Sequence, residues 1–278
     1  MIPVSFDYLR AGSVEEAIAA LAEHGEEAKL LAGGHSLLPL MKLRLATPSL
    51  LVDVARLGDL SSVRVEGDRL AIGALTRHAE LERSADVRRY APLLSHAASL
   101  VGDPQVRHRG TIGGSVAHGD PASDLPAALL ALGGTFVVQG AAGTREIAAD
   151  DFFLGFLETA LHPDEMLTEI RVPAREAAGW SFQKFTRRAQ DWAIVGCAVV
   201  RGDVDRVALV NMGPTVLRAR GVEAALAAGS SLDDAARLAP EGAEPPSDIN
   251  AGADYRAHLA TVLVGKALHE ASAGRSPG

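Results

Sequence analysis

Two glycine pairs constrain the fold of this chain more than any other feature of its sequence. The first lies in residues 32–36 (AGGHS), after an apolar run, and the second lies in residues 111–115 (TIGGS). Because glycine has no Cβ, the backbone N–H groups of such a pair can approach a ligand, and a neighbouring Ser or Thr hydroxyl adds a donor. Two loops of this kind are expected to hold one diphosphate, although each pair alone is also typical of an ordinary turn.

The composition is typical of a folded protein with an acidic balance. A chain of 278 residues is too long for one small core, so two or three subdomains are expected. Apolar residues make up 47% of the chain and charged residues 22%, which excludes a disordered protein. With 27 basic and 35 acidic side chains the formal charge is -8, so the basic surface of a non-specific nucleic-acid binder is missing.

The single cysteine, Cys197, excludes several kinds of site within the chain. One thiol makes no intrachain disulfide, no cysteine-ligated zinc site and no self-contained iron–sulfur cluster, so any cluster must lie on a partner. Cys197 belongs to the apolar run 194–200, where an inert buried thiol is expected. The N-terminus has no signal-peptide pattern and the longest apolar stretch, residues 125–138, is too short for a membrane span, so a cytoplasmic protein is expected.

Hydrophobic periodicity divides the chain into three predicted units. The first unit, residues 1–56, is βαβ-like: Ser13 and Glu16 form a capping box for a helix, and strands follow at 29–32 and 50–54. The second unit, residues 57–173, opens with a hairpin around Gly67-Asp68. Its helices are expected at 76–84, 91–101 and 124–132.

The third predicted unit, residues 174–278, is a smaller α+β domain. Its strands are expected at 181–186, 193–200 and 204–211. Helical patterns follow at 217–228 and 255–272, so strands precede helices in this unit.

The residues around both glycine pairs resemble those of one known family. Residues 32–36 continue into LLPLMKLR, and residues 109–115 (RGTIGGS) lead to residues 120–126 (DPASDLP), as in the FAD-binding medium subunit of molybdenum hydroxylases. Carbon monoxide dehydrogenase contains a medium subunit of this type, and xanthine dehydrogenase carries the equivalent flavin domain. The resemblance covers nearly the whole chain, including residues 184–193 (KFTRRAQDWA) in the third unit.

The resemblance implies an α+β fold that binds FAD between two domains. The N-terminal region is then a two-part FAD-binding region of the vanillyl-alcohol-oxidase flavin fold, and the smaller C-terminal domain is of the carbon monoxide dehydrogenase flavoprotein type. No catalytic residue and no metal ligand is implied for this chain. The implied cofactor-binding residues are Ala32, Gly33, Gly34, His35, Ser36, Leu37, Thr111, Ile112, Gly113, Gly114, Ser115, Asp120, Asp124, Lys184 and Trp192.

Three of these residues have alternative interpretations. Asp124 is either the acceptor for a ribityl or ribose hydroxyl of the cofactor or a solvent-facing helix cap. Trp192 either shields the flavin ring or packs in the core, and where the family has Tyr a Trp keeps the aromatic face but loses the phenolic hydroxyl. His35 either binds a phosphate or turns its loop toward water, and no second His or carboxylate follows it at metal-ligand spacing.

The resemblance implies an electron-transfer subunit of a larger oxidoreductase. It would accept electrons from a [2Fe-2S] small subunit, beside a molybdopterin large subunit, in a heterotrimer or a dimer of heterotrimers, and pass them to a quinone, NAD or oxygen. A free-standing flavin-dependent oxidase or dehydrogenase and a nucleotide-binding regulatory module are the alternatives. The missing Walker lysine and G-x-G-x-x-G motif exclude a P-loop nucleotidase and a Rossmann dehydrogenase.

Overall fold

The computed structural model of the chain describes residues 2–174 and 179–274. Within them, three main sheets follow one another along the chain, accompanied by one short two-stranded sheet and by packed helices. The predicted α+β class is therefore confirmed. The domain boundaries at residues 56 and 173 stay predictions, and residues 175–178 and 275–278 of the third predicted unit lie outside the described part of the chain.

The first sheet is parallel, with strand order β1-β3-β2. Its part of the chain consists of β1 (Asp7–Arg10), α1 (Val14–His24), β2 (Ala28–Leu31), α2 (Leu37–Lys42) and β3 (Leu50–Asp53). Ser13 caps α1 as predicted, because its hydroxyl accepts the N–H of Glu16, but the Glu16 carboxylate accepts the N–H of Gly12 and not that of Ser13, so the reciprocal bond of the predicted capping box lies one residue earlier. Strand β1 is not predicted, since most of its side chains are exposed and give no apolar pattern.

The predicted hairpin consists of β4 (Val63–Glu66) and β5 (Arg69–Gly73). The helices that follow it are α3 (His78–Arg83), α4 (Ala85–Tyr90), α5 (Pro92–Ser99), α6 (Pro104–Arg109), α7 (Ile112–His118) and α8 (Asp124–Leu132). The helix predicted over 76–84 ends at Arg83, because Ser84 leaves the helical conformation and caps α4. Helix α6 is not predicted from the sequence, because its residues are mostly polar; it begins after Asp103, whose carboxylate accepts the N–H of Val106 at 2.9 Å.

The second sheet is antiparallel and has the strand order β4-β5-β10-β6-β7. Its remaining strands, together with the short pair β8–β9, are β6 (Thr135–Gly140), β7 (Gly143–Ala148), β8 (Phe153–Gly155), β9 (Glu158–Thr159) and β10 (Met166–Pro173). The sequence does not predict β6, because it shares one apolar run with α8. Gly133 divides that run: it ends the helix in the left-handed conformation, with φ 70°.

The third sheet is antiparallel, in the order β11-β12-β13-β14, and α11 packs against β11 and β12. Its elements are β11 (Gly179–Phe185), β12 (Val195–Arg201), β13 (Arg206–Val210), β14 (Leu217–Arg218), α9 (Arg220–Ala227), α10 (Leu232–Ala236) and α11 (Ala253–Ser272). The helix predicted from residue 217 starts at Arg220, because residues 217–218 pair with β13. Cys197 is fully buried in β12, and burial raises the pKa of its thiol to about 12, as expected for an inert thiol.

Helix α8 joins the second sheet to the third. All its residues are buried, and it packs against α5 on one side and against β12 and β13 on the other. One continuous apolar core therefore includes Leu125 of α8, Phe136 of β6 and Val200 of β12. A helix that is apolar on every side requires partners all round, so α8 positions its first residue, Asp124, between the two halves of the chain. No helix in the described ranges is long and apolar enough to cross a membrane.

Candidate functional site

A cavity of about 790 Å³ lies where the N-terminal and C-terminal parts of the chain meet. Its walls come from β2 and the start of α2, from the segments around α6 and α7, and from the residues that follow β11. Its size is typical of a cofactor site. The predicted site residues that line it are Ala32, Gly33, Gly34, His35, Ser36, Leu37, Thr111, Gly113, Gly114, Ser115, Asp124, Lys184 and Trp192.

Two predicted site residues lie apart from this lining. Ile112 is fully buried in the apolar core and presents its side chain to other residues of that core. The Asp120 carboxylate accepts the backbone N–H of Ala122 at 2.8 Å and so closes the turn that precedes α8. The geometry explains both residues by their structural contacts, without a cofactor.

The first glycine segment, residues 32–36, leaves its hydrogen-bond donors free. None of the backbone N–H groups of residues 33–37 has a partner among the described residues. Gly34 has φ +78°, a left-handed conformation that favours glycine, and Ser36 precedes α2 without a side-chain capping bond. Successive unpaired N–H groups beside a cavity are the arrangement from which anion-binding concavities are built, and the binding of a diphosphate here stays a prediction.

The second glycine segment is not a loop but the first turn of α7. Thr111 is the N-cap, and its hydroxyl oxygen accepts the N–H of Gly114 at 3.1 Å. The N–H groups of Ile112 and Gly113 donate to carbonyl oxygens in residues 74–76, at 3.0 and 2.8 Å. The expectation that both segments offer N–H donors is therefore wrong for the second, whose donors serve the fold.

The second segment contributes two hydroxyl groups to the cavity, those of Thr111 and Ser115. The N–H of Ser115 is bonded to the carbonyl of Thr111 at 3.1 Å, but its hydroxyl makes no bond within the described residues. The Thr111 hydroxyl oxygen already accepts one hydrogen bond and still has a hydrogen to donate. The two segments thus supply different groups to one cavity.

At two glycines, the lack of a Cβ allows close contacts within the chain. A Cβ on Gly33 would lie 2.4 Å from the carbonyl oxygen of Arg109, which also accepts a hydrogen bond from the Arg77 guanidinium. A Cβ on Gly113 would lie 2.6 Å from the Cβ of Ala74. These glycines therefore allow neighbouring segments to pack closely, and their expected role in clearing a path for a ligand stays a prediction.

Asp124 forms a buried ion pair with Lys184 across the two halves of the chain. Lys184 Nζ lies 2.6 Å from Asp124 Oδ2 and also donates to the carbonyl of Leu100 at 3.1 Å. Asp124 is 6% exposed and the cap of α8 is Ser123, so the alternative of a solvent-facing cap is wrong. Burial raises the pKa of Asp124 to about 6, although Lys184 acts to lower it.

The other carboxylate oxygen of Asp124, Oδ1, is buried and has no hydrogen-bond partner among the described residues. Buried acceptors are nearly always paired in native proteins, because an unpaired one costs about 1–3 kcal/mol. Since Asp124 lines the cavity, a ligand hydroxyl is the donor that this oxygen fits.

His78, at the start of α3, lines the cavity, although the sequence does not predict it as a site residue. It is 5% exposed, and its Nδ1 is buried without a partner. Burial lowers the pKa of His78 to about 4, with a further contribution from the charge of His35, so the ring is neutral at pH 7. A lone His after an arginine carries no motif, so no sequence signal identifies it.

Trp192 lies between β11 and β12 and lines the cavity together with Gln190 and Asp191. Its side chain is 59% exposed, so the alternative of a core residue is wrong. The other tryptophan, Trp180, is the buried one. The shielding of a flavin ring by Trp192 stays a prediction.

Two family models match the two halves of the chain. The FAD binding domain in molybdopterin dehydrogenase matches residues 4–175, and the CO dehydrogenase flavoprotein C-terminal domain matches residues 180–271. The chain therefore belongs to the family of FAD-binding medium subunits of molybdenum hydroxylases, and it is an oxidoreductase component. The predicted family, the two-domain fold class and the FAD cofactor are confirmed.

Individual relatives agree with this assignment. The chain is 44% identical to the carbon monoxide dehydrogenase medium chain of Hydrogenophaga pseudoflava, over 98% of both chains. It is 38% identical to the 6-hydroxypseudooxynicotine dehydrogenase complex subunit alpha of Paenarthrobacter nicotinovorans, over 98% of this chain and 97% of the other. A solved structure of carbon monoxide dehydrogenase from Hydrogenophaga pseudoflava, which lacks the Mo-pyranopterin moiety of its cofactor, matches with TM-score 0.95 and 46% identity, over 99% of this chain and 100% of that chain.

Proposed function

We propose that this chain carries electrons between a [2Fe-2S] small subunit and an external acceptor, which is a quinone, NAD or oxygen. The observation that supports this is one cavity that combines the free N–H groups of residues 33–37, the unpaired Oδ1 of Asp124 and the exposed indole of Trp192. Bound FAD supplies a centre that stores two electrons and exchanges them with one-electron carriers.

The proposed binding mode assigns each part of the cofactor to a group of the lining. The N–H groups of residues 33–37, with the hydroxyls of Thr111 and Ser115, are the donors for the diphosphate oxygens. Asp124 Oδ1 accepts a hydrogen bond from a ribityl or ribose hydroxyl. The indole of Trp192 covers one face of the isoalloxazine ring and limits its contact with water.

The proposed partners follow from what this chain lacks. Its one thiol is buried with a raised pKa, so an iron–sulfur cluster must be supplied by another subunit. Two relatives whose names specify carbon monoxide and 6-hydroxypseudooxynicotine match this chain over almost its full length. We infer that the choice of substrate lies with a molybdopterin large subunit, in a heterotrimer or its dimer, located in the cytoplasm.

Purification of the tagged chain from its source tests the proposal. We expect FAD, iron and molybdenum to co-purify in a fixed ratio, while the chain produced alone binds FAD and oxidises neither an aldehyde nor a purine. Light-reduced flavin on the isolated chain should be reoxidised by whichever of a quinone, NAD or oxygen is the acceptor. Steady oxidation of an aldehyde or purine by the isolated chain would instead establish the free-standing oxidase.

A further inference from the structure

Residues 186–194 join β11 to β12 and bring Gln190, Asp191 and Trp192 to the cavity. This connecting segment contains no helix or strand, and the N–H of Asp191 closes one turn in it by donating to the carbonyl of Arg188 at 3.0 Å. The position of Trp192 therefore depends on the contacts that hold the two ends of the connecting segment.

Arg256, near the start of α11, holds the C-terminal end of the connecting segment. Its side chain is fully buried, and its guanidinium donates to the carbonyl oxygen of Ile194, two residues after Trp192. The same guanidinium donates to Asp248 Oδ2 at 2.8 Å. Partial burial acts to raise the pKa of Asp248, but two backbone N–H groups and the charge of Arg256 outweigh it and lower the pKa, so Asp248 stays ionised.

The N-terminal end of the connecting segment contacts the same region of the chain. Arg187 Nη1 donates to Asn250 Oδ1 at 3.3 Å, two residues after Asp248. The ring of Phe185 meets the ring of Tyr255 edge-on, with 6.5 Å between their centroids. Both ends of the connecting segment thus contact residues 248–256, and the Arg256 side chain in these contacts is fully buried. Asn211 Nδ2, just after β13, also donates to the carbonyl oxygen of Ala193 at 2.8 Å.

Packing alone does not explain an arginine at this position. A buried guanidinium loses its hydration, and well-placed partners offset that loss only in part. Arg256 Nε has no hydrogen-bond partner among the described residues, so the compensation is incomplete. An apolar side chain of similar length would fill the same space without a desolvated charge, which points to a requirement for the bond to Ile194.

We propose that Arg256 is a positioning residue for Trp192: by holding the carbonyl of Ile194, it keeps the connecting segment against the cavity. The bond fixes the backbone two residues from the indole, and Asp248 fixes the guanidinium in turn. This inference rests on the proposed function in one respect, because it takes the cavity to be the FAD site.

Time-resolved tryptophan anisotropy of the full chain without FAD tests the inference directly. The chain has two tryptophans, so Trp180→Phe leaves Trp192 as the sole emitter. In this background we expect Arg256→Met to double the amplitude of the fast depolarisation of Trp192, and Arg256→Lys to restore most of the parent value. Arg237→Met, which removes an exposed arginine of the same domain, is the matched control and should match the parent.

An Arg256→Met amplitude equal to that of Arg237→Met would overturn the positioning role. If Arg256→Met fails to fold, Asp248→Asn serves instead, because it keeps the guanidinium but removes its anionic partner; an intermediate amplitude is expected, and a parent value overturns the inference. With FAD bound, Arg256→Met should brighten flavin emission about twofold. Failure of the parent chain to bind FAD would refute the proposed function and leave the anisotropy result unaffected.

Discussion

Residues 32–36 lie before the helix that follows them, whereas residues 111–115 already contain the first turn of theirs. In the first segment the N–H groups of residues 33–37 remain unpaired within the described chain, whereas in the second Ile112, Gly113, Gly114 and Ser115 all donate to protein oxygens. Similar sequences therefore have different tasks: the first segment presents donors, and the second fixes the wall against which those donors are held. The position of a glycine pair relative to the next helix decides which task it has.

Gly33→Ala should have the largest effect, because it breaks the contact between the two segments. The new Cβ would lie 2.4 Å from the carbonyl oxygen of Arg109, a backbone atom that cannot swing away. We expect a loss of about 3 kcal/mol in the free energy of unfolding, measured by urea denaturation. Gly58→Ala is the control, since a Cβ there meets no atom within 4 Å. Equal stability of the two variants would show that the segments do not depend on this contact.

Between pH 4 and pH 6, two buried titratable groups beside the glycine segments should change the free energy of unfolding in opposite directions. His78 has a pKa of about 4 in the folded state, so its contribution is present above its unfolded pKa and is lost as the pH falls. Asp124 has a folded pKa of about 6, so its contribution is present below its unfolded pKa and is lost as the pH rises. The two contributions to the pH dependence of the free energy of unfolding therefore cancel in part.

Asp124→Asn should remove the contribution of Asp124 and leave the pH dependence that His78 produces. Relative to the parent chain, the free energy of unfolding of this variant should increase by about 2 kcal/mol between pH 4 and pH 6. Urea denaturation at pH 4, 5 and 6 measures it, with Asp68→Asn as the control because the Asp68 side chain is 96% exposed. Parallel pH profiles for Asp124→Asn and the parent would show that Asp124 does not titrate in this range.

Thr111→Val and Ser36→Ala test the two glycine segments separately. The Thr111 hydroxyl caps α7, so Thr111→Val should lower the free energy of unfolding of the FAD-free chain by about 1 kcal/mol. Ser36 makes no capping bond, so Ser36→Ala should change that stability little and act only on FAD affinity. Urea denaturation and FAD titration distinguish the two effects, and a reversed order of stabilities would contradict the assigned tasks.

Trp192→Ala should have the smallest effect, because it changes the end of the cavity that neither glycine segment forms. We expect FAD affinity to fall about threefold, or about 0.7 kcal/mol, and the fluorescence of bound flavin to increase as the indole is removed. Trp192→Tyr should recover most of both signals in fluorescence titrations. Emission and affinity of Trp192→Ala equal to those of the parent would remove Trp192 from the site.

The sequence predicts those features of the site that depend on local signals. The donor segment at 32–36, the N-cap at Ser13 and the buried Cys197 are all visible in short stretches of residues. The Asp124–Lys184 pair joins residues 60 positions apart, so no local sequence pattern predicts it. His78 has no motif, and the role of Arg256 depends on the fold of a whole domain.

The second glycine segment shows why local signals also mislead. Thr111 is a typical N-cap, but the glycines after it are poor helix formers and favour a loop interpretation. Packing against residues 74–76 decides in favour of the helix, because the N–H groups of Ile112 and Gly113 find carbonyl partners there. This tertiary contact lies outside any window of sequence that a propensity argument uses.

The burial of α8 also has a consequence for synthesis of the chain on the ribosome. The helix is complete at Leu132, but β12, which covers part of it, begins at Val195, roughly 60 residues later. At about 5–20 residues per second, the uncovered surface of α8 faces solvent for about 3–12 s. Nascent chains that pause between these two elements should therefore be bound by chaperones, and ribosome profiling with chaperone capture would place that binding after residue 132.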